Sequence, residues 1–176
     1  MLGATYLSKG TTMLTKGLGA AMNEHLSKEL YAAHLYLAMS AYFDANNLPG
    51  CAAWMRAQAD EERMHGMKFY EYIYDRGGSV ELMAIDKPPT SFKSALDAFQ
   101  QAHEHERHVS EAINGLYAQA LEEKDYASQV FLQWFIQEQV EEEKTSGTLV
   151  ESLKMVGDST ASLLLFDREL GGRDGG

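Results

Sequence analysis

The sequence predicts an all-α protein, an antiparallel four-helix bundle with one long crossover connection and a short fifth helix near the C-terminal end. Three observations support this prediction. The only three prolines, Pro49, Pro88 and Pro89, divide the chain into segments, because proline rarely lies inside a helix. Within the segments, apolar residues recur at three- and four-residue spacings, which is typical of helices that bury one face. No alternating pattern of a β-strand competes with the helical one.

The predicted helices can be followed in order along the chain. The four long ones cover roughly residues 14–43, 50–76, 92–123 and 126–156, and a short fifth one extends to about residue 170. Gly77 and Gly157 are expected to end the second and fourth helices, since glycine readily adopts the backbone conformation of a helix end. Ser159 or Thr160 would cap the fifth helix through its hydroxyl. The segment with the Pro-Pro pair is expected to be a loop.

The connection lengths predict how the helices are arranged. Short connections join the first helix to the second and the third to the fourth, so each pair should be antiparallel. The connection over residues 77–91 could reach roughly 50 Å when extended, whereas the second helix should be only roughly 40 Å long. It can therefore span the bundle and leave the second and third helices parallel. Residues 1–176 are assigned to one domain, in which residues 171–176 form a flexible, Gly-rich tail.

The composition narrows the classes of function. The chain carries 26 acidic and 15 basic residues, a formal net charge of −11, which disfavours nucleic-acid binding and suits cations. No stretch approaches the roughly 20 apolar residues of a membrane span, and the N-terminal residues lack the apolar run of a secretory signal. The single cysteine, Cys51, can form neither an internal disulfide nor a Cys-x-x-Cys metal site. A cytoplasmic protein that binds neither nucleic acid nor membranes is expected.

Glutamates interrupt the apolar seam of every long helix. The spacing that defines each seam passes through Glu29, Glu62, Glu106 and Glu142, one in each helix. Each lies close to the midpoint of its helix, and midpoints coincide in height whichever way a helix runs. His65, three residues after Glu62, shares its face. Four carboxylates and an imidazole are therefore expected to converge in one central layer.

Two interpretations of this layer compete. The glutamates could point sideways to solvent or pair with basic residues, or they could hold metal ions. Burying uncompensated carboxylates is costly, and the seams contain no Lys or Arg at that level. Two divalent cations would neutralise four carboxylates and leave an imidazole as a further ligand. Oxygen donors with one nitrogen and no thiolate favour iron or manganese over structural zinc, so the sequence predicts a site for two such ions.

Three segments resemble the non-haem bacterial ferritins. They are Glu-Leu-Tyr-Ala-Ala-His-Leu-Tyr at residues 29–36, Asp-Glu-Glu-Arg-Met-His at residues 60–65, and Phe-Leu-Gln-Trp-Phe-Ile-Gln-Glu-Gln-Val-Glu-Glu-Glu-Lys at residues 131–144. The resemblance covers about residues 15–170, and residues 1–12 look like an added N-terminal extension. It implies the ferritin-like bundle, whose core holds di-iron sites, and ferroxidase activity, the oxidation of Fe(II) by O₂ or peroxide.

The resemblance also implies which residues bind two irons per subunit. Glu29, Glu62 and His65 would hold the first iron, and Glu62 would bridge to the second. Glu106 and Glu142 would complete the second site. Among these, Glu62 would be essential for catalysis because it contacts both ions.

Further residues around the centre match the family. Gln139 would lie close to the second iron, and Tyr36 matches the tyrosine beside the centre. Tyr36 can also be a core aromatic with a satisfied hydroxyl, and the two roles are compatible. Glu61, Glu138 and Glu141 match the acidic residues of an additional, third iron site. For Glu61 and Glu141, an ordinary solvated face remains an alternative.

Departures from related families refine the prediction. Relatives that retain a di-iron cofactor carry a second Glu-x-x-His, but Thr145 stands in place of that histidine. Haem-binding bacterioferritins carry a methionine directly after the bridging glutamate, and this position is Arg63, so no haem is expected. His105 and His108 are expected on exposed faces rather than in a metal site.

The expected function is iron storage, with oxidised iron deposited as an oxo-hydroxide mineral. The fifth helix carries Leu163, Leu164, Leu165 and Phe166, more apolar surface than one bundle can cover, and the resemblance implies a 24-subunit hollow shell. An alternative is a di-iron oxidoreductase that acts on peroxide or an organic substrate with a retained iron pair. A purely structural bundle would require ion-paired glutamates.

Overall fold

The computed structural model describes residues 13–172, and within this range the chain forms five helices and no strand. They are α1 (Lys16–Ala45), α2 (Pro49–Asp75), α3 (Ala95–Glu122), α4 (Tyr126–Val156) and α5 (Thr160–Gly171). The predicted helices are confirmed, with ends displaced by about three residues at most. The expected N-terminal extension, residues 1–12, and most of the expected tail, residues 173–176, lie outside the described residues. Among the described helices, none combines the length and apolar character of a membrane span.

Side-chain oxygens cap four of the five helices. Thr15, Ser94, Asp125 and Ser159 each accept a hydrogen bond from the backbone N–H three residues later, which satisfies a donor that the helix itself leaves unpaired. The cap at Ser94 explains why α3 begins later than the predicted residue 92. The first turn of α2 is capped by a residue from another helix, because Asp167 of α5 accepts a 2.8 Å hydrogen bond from the Cys51 N–H.

Two apolar clusters define the arrangement of the long helices. One joins the beginning of α1 and α4 to the ends of α2 and α3, and includes Leu18, Phe69, Ile113 and Phe135. The other joins the end of α1 and α4 to the beginning of α2 and α3, and includes Phe43, Met55, Phe99 and Leu153. Helices α2 and α3 therefore run parallel, as predicted, and the crossover connection spans the bundle. Asn23 holds this connection to α1, because its amide donates to Ser79 O at 3.0 Å and accepts from Glu81 N at 2.7 Å.

Helix α5 packs one side against the bundle and leaves another side uncovered. Phe166 and Leu170 enter the apolar cluster, and a Cβ atom on Gly50 would lie only 1.8 Å from the backbone oxygen of Asp167. Only glycine allows this close approach of α2 and α5. In contrast, Leu164 and Leu165 are 45% and 59% exposed.

Candidate metal centre

The predicted glutamate layer lies between the two apolar clusters. Glu29, Glu62, Glu106 and Glu142 project from α1, α2, α3 and α4, and each is buried. His65 of α2 is buried with them. The convergence follows from the sequence pattern, because each glutamate occupies a seam position near the middle of its helix.

One half of the layer has the geometry of a cation site. Glu29, Glu62 and His65 each present a ligand atom, and these atoms lie within 4.8 Å of one another. The Nδ1 atom of His65 lies 3.4 Å from Glu62 Oε2. Glu29 Oε2 and Glu62 Oε1 are buried without a hydrogen-bond partner. Buried polar atoms are almost always paired in folded proteins, so these two oxygens indicate space for a bound cation.

Neutral donors hold the other half of the layer. The hydroxyl of Tyr36 donates to Glu106 Oε1, and the amide of Gln139 donates to Glu106 Oε2 at 3.2 Å. The amide of Gln58 donates to Glu142 Oε2 at 3.3 Å. These contacts orient the carboxylates without neutralising their charge, and so leave that charge for a cation.

The electrostatics of the layer reflect this lack of compensation. Burial raises the pKa of Glu29 and Glu106 to about 7, and that of Glu62 and Glu142 to about 8, from the ordinary value of 4.5. Burial alone would lower the pKa of His65, but its hydrogen bond with Glu62 and the surrounding carboxylates raise it to about 9. Protons therefore compete with metal ions for these groups near neutral pH.

The interpretation of the layer as ion-paired structure finds no support in the described residues. The ion pairs that involve layer glutamates are those of Glu29 with His25 and of Glu62 with His65. The lysine and arginine ion pairs found among the described residues involve other carboxylates, as in the buried bridge between Arg76 and Asp125. Two histidines cannot compensate four buried carboxylates.

Comparison with known proteins identifies the family to which this chain belongs. The sequence model of the ferritin-like domain matches residues 19–156. The chain belongs to the ferritin family. It is 42% identical over 161 residues to a bacterial non-heme ferritin of Staphylococcus aureus, a match that covers 92% of this chain and 97% of that protein. The corresponding protein of Staphylococcus epidermidis is 44% identical over the same share of each chain.

Solved structures agree with the sequence comparison. An open pore ferritin from the archaeon Archaeoglobus fulgidus superimposes with a TM-score of 0.89 at 42% identity, covering 90% of this chain and 98% of that one. An engineered closed form of the same archaeal ferritin also superimposes with a TM-score of 0.89. The fold predicted from the sequence is thereby confirmed as that of a ferritin.

A second group of possible ligands in this ferritin lies beside the first. Glu61, His65 and Glu138 also bring ligand atoms to within 4.8 Å of one another, and both carboxylates are half-buried. Glu141, which the resemblance placed with them, is exposed and belongs to neither group among the described residues. His65 is common to both groups, so the two groups are adjacent.

Of the two histidines expected on exposed faces, one differs from the expectation. His105 was expected on an exposed face, but it is half-buried, its Nε2 is buried without a hydrogen-bond partner, and burial lowers its pKa to about 4. The cause is the crossover connection, because residues 84–86 form a pocket with His105 against α1 and α3. His108 is exposed, as expected.

Sequence reasoning missed two residues that contact the layer. His25 is buried one turn before Glu29 and its Nε2 lies 2.7 Å from Glu29 Oε1. Gln58 is one turn before Glu62 and contacts Glu142 across the bundle. The i to i+4 spacing was a signal for both, since such residues lie on the same helix face.

Proposed function

We propose that this ferritin stores iron by oxidising Fe(II) to Fe(III) at a two-iron ferroxidase centre in the glutamate layer. The oxidised iron is then deposited as a ferric oxo-hydroxide mineral inside a hollow shell of identical subunits. The observation that carries the proposal is a buried layer of four carboxylates with two unpartnered oxygens and, among the described residues, no ion pair to a lysine or arginine. The similarity to bacterial non-heme ferritins supports it.

The geometry and the similarity to ferritins support the following roles for the ligands. Glu29, Glu62 and His65 bind the first iron, since their ligand atoms form one group. Glu106 and Glu142 bind the second iron, with the amide of Gln139 beside them. Glu62 bridges the two ions through its two oxygens, one of which has no other partner.

Electrostatics provides the driving force for the reaction. Two Fe(II) ions balance the charge of four carboxylates, and each ion loses one electron when O₂ takes two electrons and two protons to become hydrogen peroxide. Peroxide can act as the oxidant in the same way. The buried carboxylates stabilise the higher charge of Fe(III) more than that of Fe(II), because charge interactions are strong where water is excluded. Tyr36 remains a neutral donor to Glu106, since burial raises its pKa well above the ordinary value.

The oxidised iron leaves through the adjacent carboxylates in this proposal. Glu61 and Glu138 share His65 with the first site and form a third site on the route to the mineral. Exposed Glu141 lies one residue before Glu142 and is available to ions outside the layer. The second iron is held weakly, because Thr145 cannot supply the nitrogen ligand that a histidine would. Arg63 offers no haem ligand, so the proposal includes no haem.

The proposed shell contains 24 subunits, and α5 forms part of its contacts. Leu164 and Leu165 of α5 are exposed apolar side chains, and a surface of this kind is typical of an interface. We place this storage shell in the cytoplasm, and its substrates are Fe(II) and the oxidant rather than a nucleic acid or a membrane.

The effect of a charge on α5 tests the assembly. Light scattering should give the wild-type protein the mass of a 24-subunit shell, and Leu165→Asp should shift it to smaller species, because a buried carboxylate at an interface has no partner. Leu165→Met keeps the apolar surface and should keep the shell. A wild-type monomer or dimer at neutral pH would contradict storage, since nothing would then enclose a mineral.

The oxidation itself is tested with metal-free protein. Two Fe(II) per subunit are added without oxygen, air is then admitted, and the ferric absorbance is followed. We expect a fast phase that oxidises both ions, and Zn(II) added beforehand should suppress it, because zinc occupies such sites and has no redox chemistry. Oxidation no faster than that of Fe(II) in buffer would contradict the proposal.

A further inference from the structure

His25 is a buried histidine that the ligand set of the metal centre does not include. Its side chain is 2% exposed, and its Nε2 lies 2.7 Å from Glu29 Oε1. Its ring packs against Phe69, with 4.7 Å between the ring centroids. Its other nitrogen, Nδ1, is buried without a hydrogen-bond partner. The hydrogen bond that this buried imidazole makes is therefore to Glu29, which is a proposed ligand of the first iron.

The direction of this hydrogen bond follows from the chemistry of the two groups. A carboxylate that binds a metal ion carries no hydrogen, so the imidazole must donate. A hydrogen on Nδ1 would leave a buried N–H without an acceptor and would bring two lone pairs together at Nε2. The hydrogen therefore lies on Nε2 and is directed at Glu29 Oε1.

This contact distinguishes the two oxygens of Glu29. Oε1 is occupied by the His25 N–H, whereas Oε2 is buried and has no partner. We propose that His25 is a positioning residue that fixes the Glu29 carboxylate so that it binds the first iron through Oε2 alone. The inference rests on the proposed ferroxidase function and adds a residue and a binding mode to it.

Two features make His25 suited to this role. It lies on the same helix as Glu29, one turn earlier, so the backbone sets the separation of the two side chains. Its ring packs against Phe69, which limits the directions in which it can turn. A group that hydrogen-bonds to a metal ligand without contacting the metal fixes the orientation of that ligand. The loss of such a group typically lowers metal affinity by about 10- to 100-fold.

The test compares two replacements of His25 by their binding of Co(II), which does not oxidise during a titration. His25→Leu keeps an apolar volume but has no donor, and it should weaken the first Co(II) site by about 10- to 100-fold and change its visible absorption spectrum. His25→Gln can place an amide N–H near the same point and should retain the wild-type spectrum and an affinity within about threefold. His34→Leu, at an exposed histidine of α1, is the control and should bind like the wild type.

The outcomes separate this inference from the proposed function. If the wild type does not oxidise Fe(II), the function fails, whatever the variants bind. If the wild type oxidises Fe(II) but His25→Leu binds Co(II) with unchanged affinity and spectrum, or His25→Gln is as weak as His25→Leu, the inference is overturned. A crystal structure of the wild type with Co(II) tests the same point without a variant. It should show Glu29 bound through one oxygen with His25 on the other, and two-oxygen binding by Glu29 would overturn the inference.

Discussion

Replacement of Glu62 by alanine should lower the initial rate of Fe(II) oxidation by at least about a hundredfold while the shell remains assembled. The loss should exceed the roughly 10- to 100-fold effect of a group that only supports a ligand, because in the proposed centre Glu62 contacts both ions. Its carboxylate lies with Glu29 and His65 in one ligand group, and its Oε1 has no other partner. Stopped-flow absorbance after mixing Fe(II) with aerated metal-free protein measures the rate.

A matched control separates the loss of a ligand from the loss of a charge. Glu71 lies on the same helix as Glu62 but is exposed, so Glu71→Ala should oxidise iron at the wild-type rate. Both variants should elute as assembled shells. If Glu62→Ala oxidises Fe(II) as fast as the wild type, the glutamate layer is not the ferroxidase centre.

The metal-free protein should lose thermal stability as the pH rises from about 5 to about 9. Burial raises the pKa of the four layer glutamates from 4.5 to about 7 or 8, so in this window they hold more protons in the folded protein than in the unfolded chain. Burial lowers the pKa of His25 to about 3 and that of His105 to about 4 from 6.5, which opposes the effect only below pH 6.5 and involves fewer groups. Stability falls with increasing pH wherever the folded state binds more protons. His65, whose folded pKa is about 9 against an ordinary 6.5, contributes with the same sign. Since each pKa unit corresponds to about 1.4 kcal/mol, the total effect should reach several kcal/mol.

Calorimetry of the metal-free shell across this pH range measures the effect. Glu62→Gln removes one of the buried charges and should both raise the unfolding temperature near pH 8 and flatten its pH dependence. Saturating Zn(II) should also raise the unfolding temperature, because the cations replace the protons. An unfolding temperature that stays constant or increases from pH 5 to pH 9 would show that the layer is not buried as described.

The positions of the helices and of the buried glutamates could be predicted from the sequence because they depend on local spacing. Prolines and glycines limit where a helix can begin and end, and a 3.6-residue period determines which residues share a face. Glu62 and His65 lie three residues apart and therefore had to point the same way. Since each glutamate lies near the midpoint of its helix, the sequence was also enough to predict that the four glutamates meet in one layer.

Contacts that depend on the path of a loop or on a side-chain rotamer were beyond this reasoning. His105 lies off the apolar seam of α3, but the crossover connection covers it, and nothing local specifies where that connection runs. The roles of His25 and Gln58 required knowing which rotamer each adopts and which carboxylate faces it. Glu141 is a different case, because the sequence left a solvated face open as an alternative for it and the structure shows that it is exposed.

The distinction between storage and a retained cofactor depends on the residue at position 145. Position i+3 from Glu142 is on the face of a potential ligand, and Thr145 is too short to act as one. The hydroxyl of the next residue, Ser146, is engaged with the backbone oxygen of Glu142 at 2.7 Å and with His103 at 2.9 Å. In the proposed centre the second iron would therefore have no nitrogen ligand from Thr145 or Ser146, and we expect it to leave after oxidation.

Successive additions of two Fe(II) per subunit in air test the central claim most directly. The storage account predicts that each addition is oxidised, far beyond two per subunit, that the fast phase recovers slowly between additions as iron leaves the centre, and that the iron stays with the assembled shell. A centre that remained filled with ferric iron, and oxidised later additions as a fixed cofactor, would contradict this account and favour a di-iron oxidoreductase.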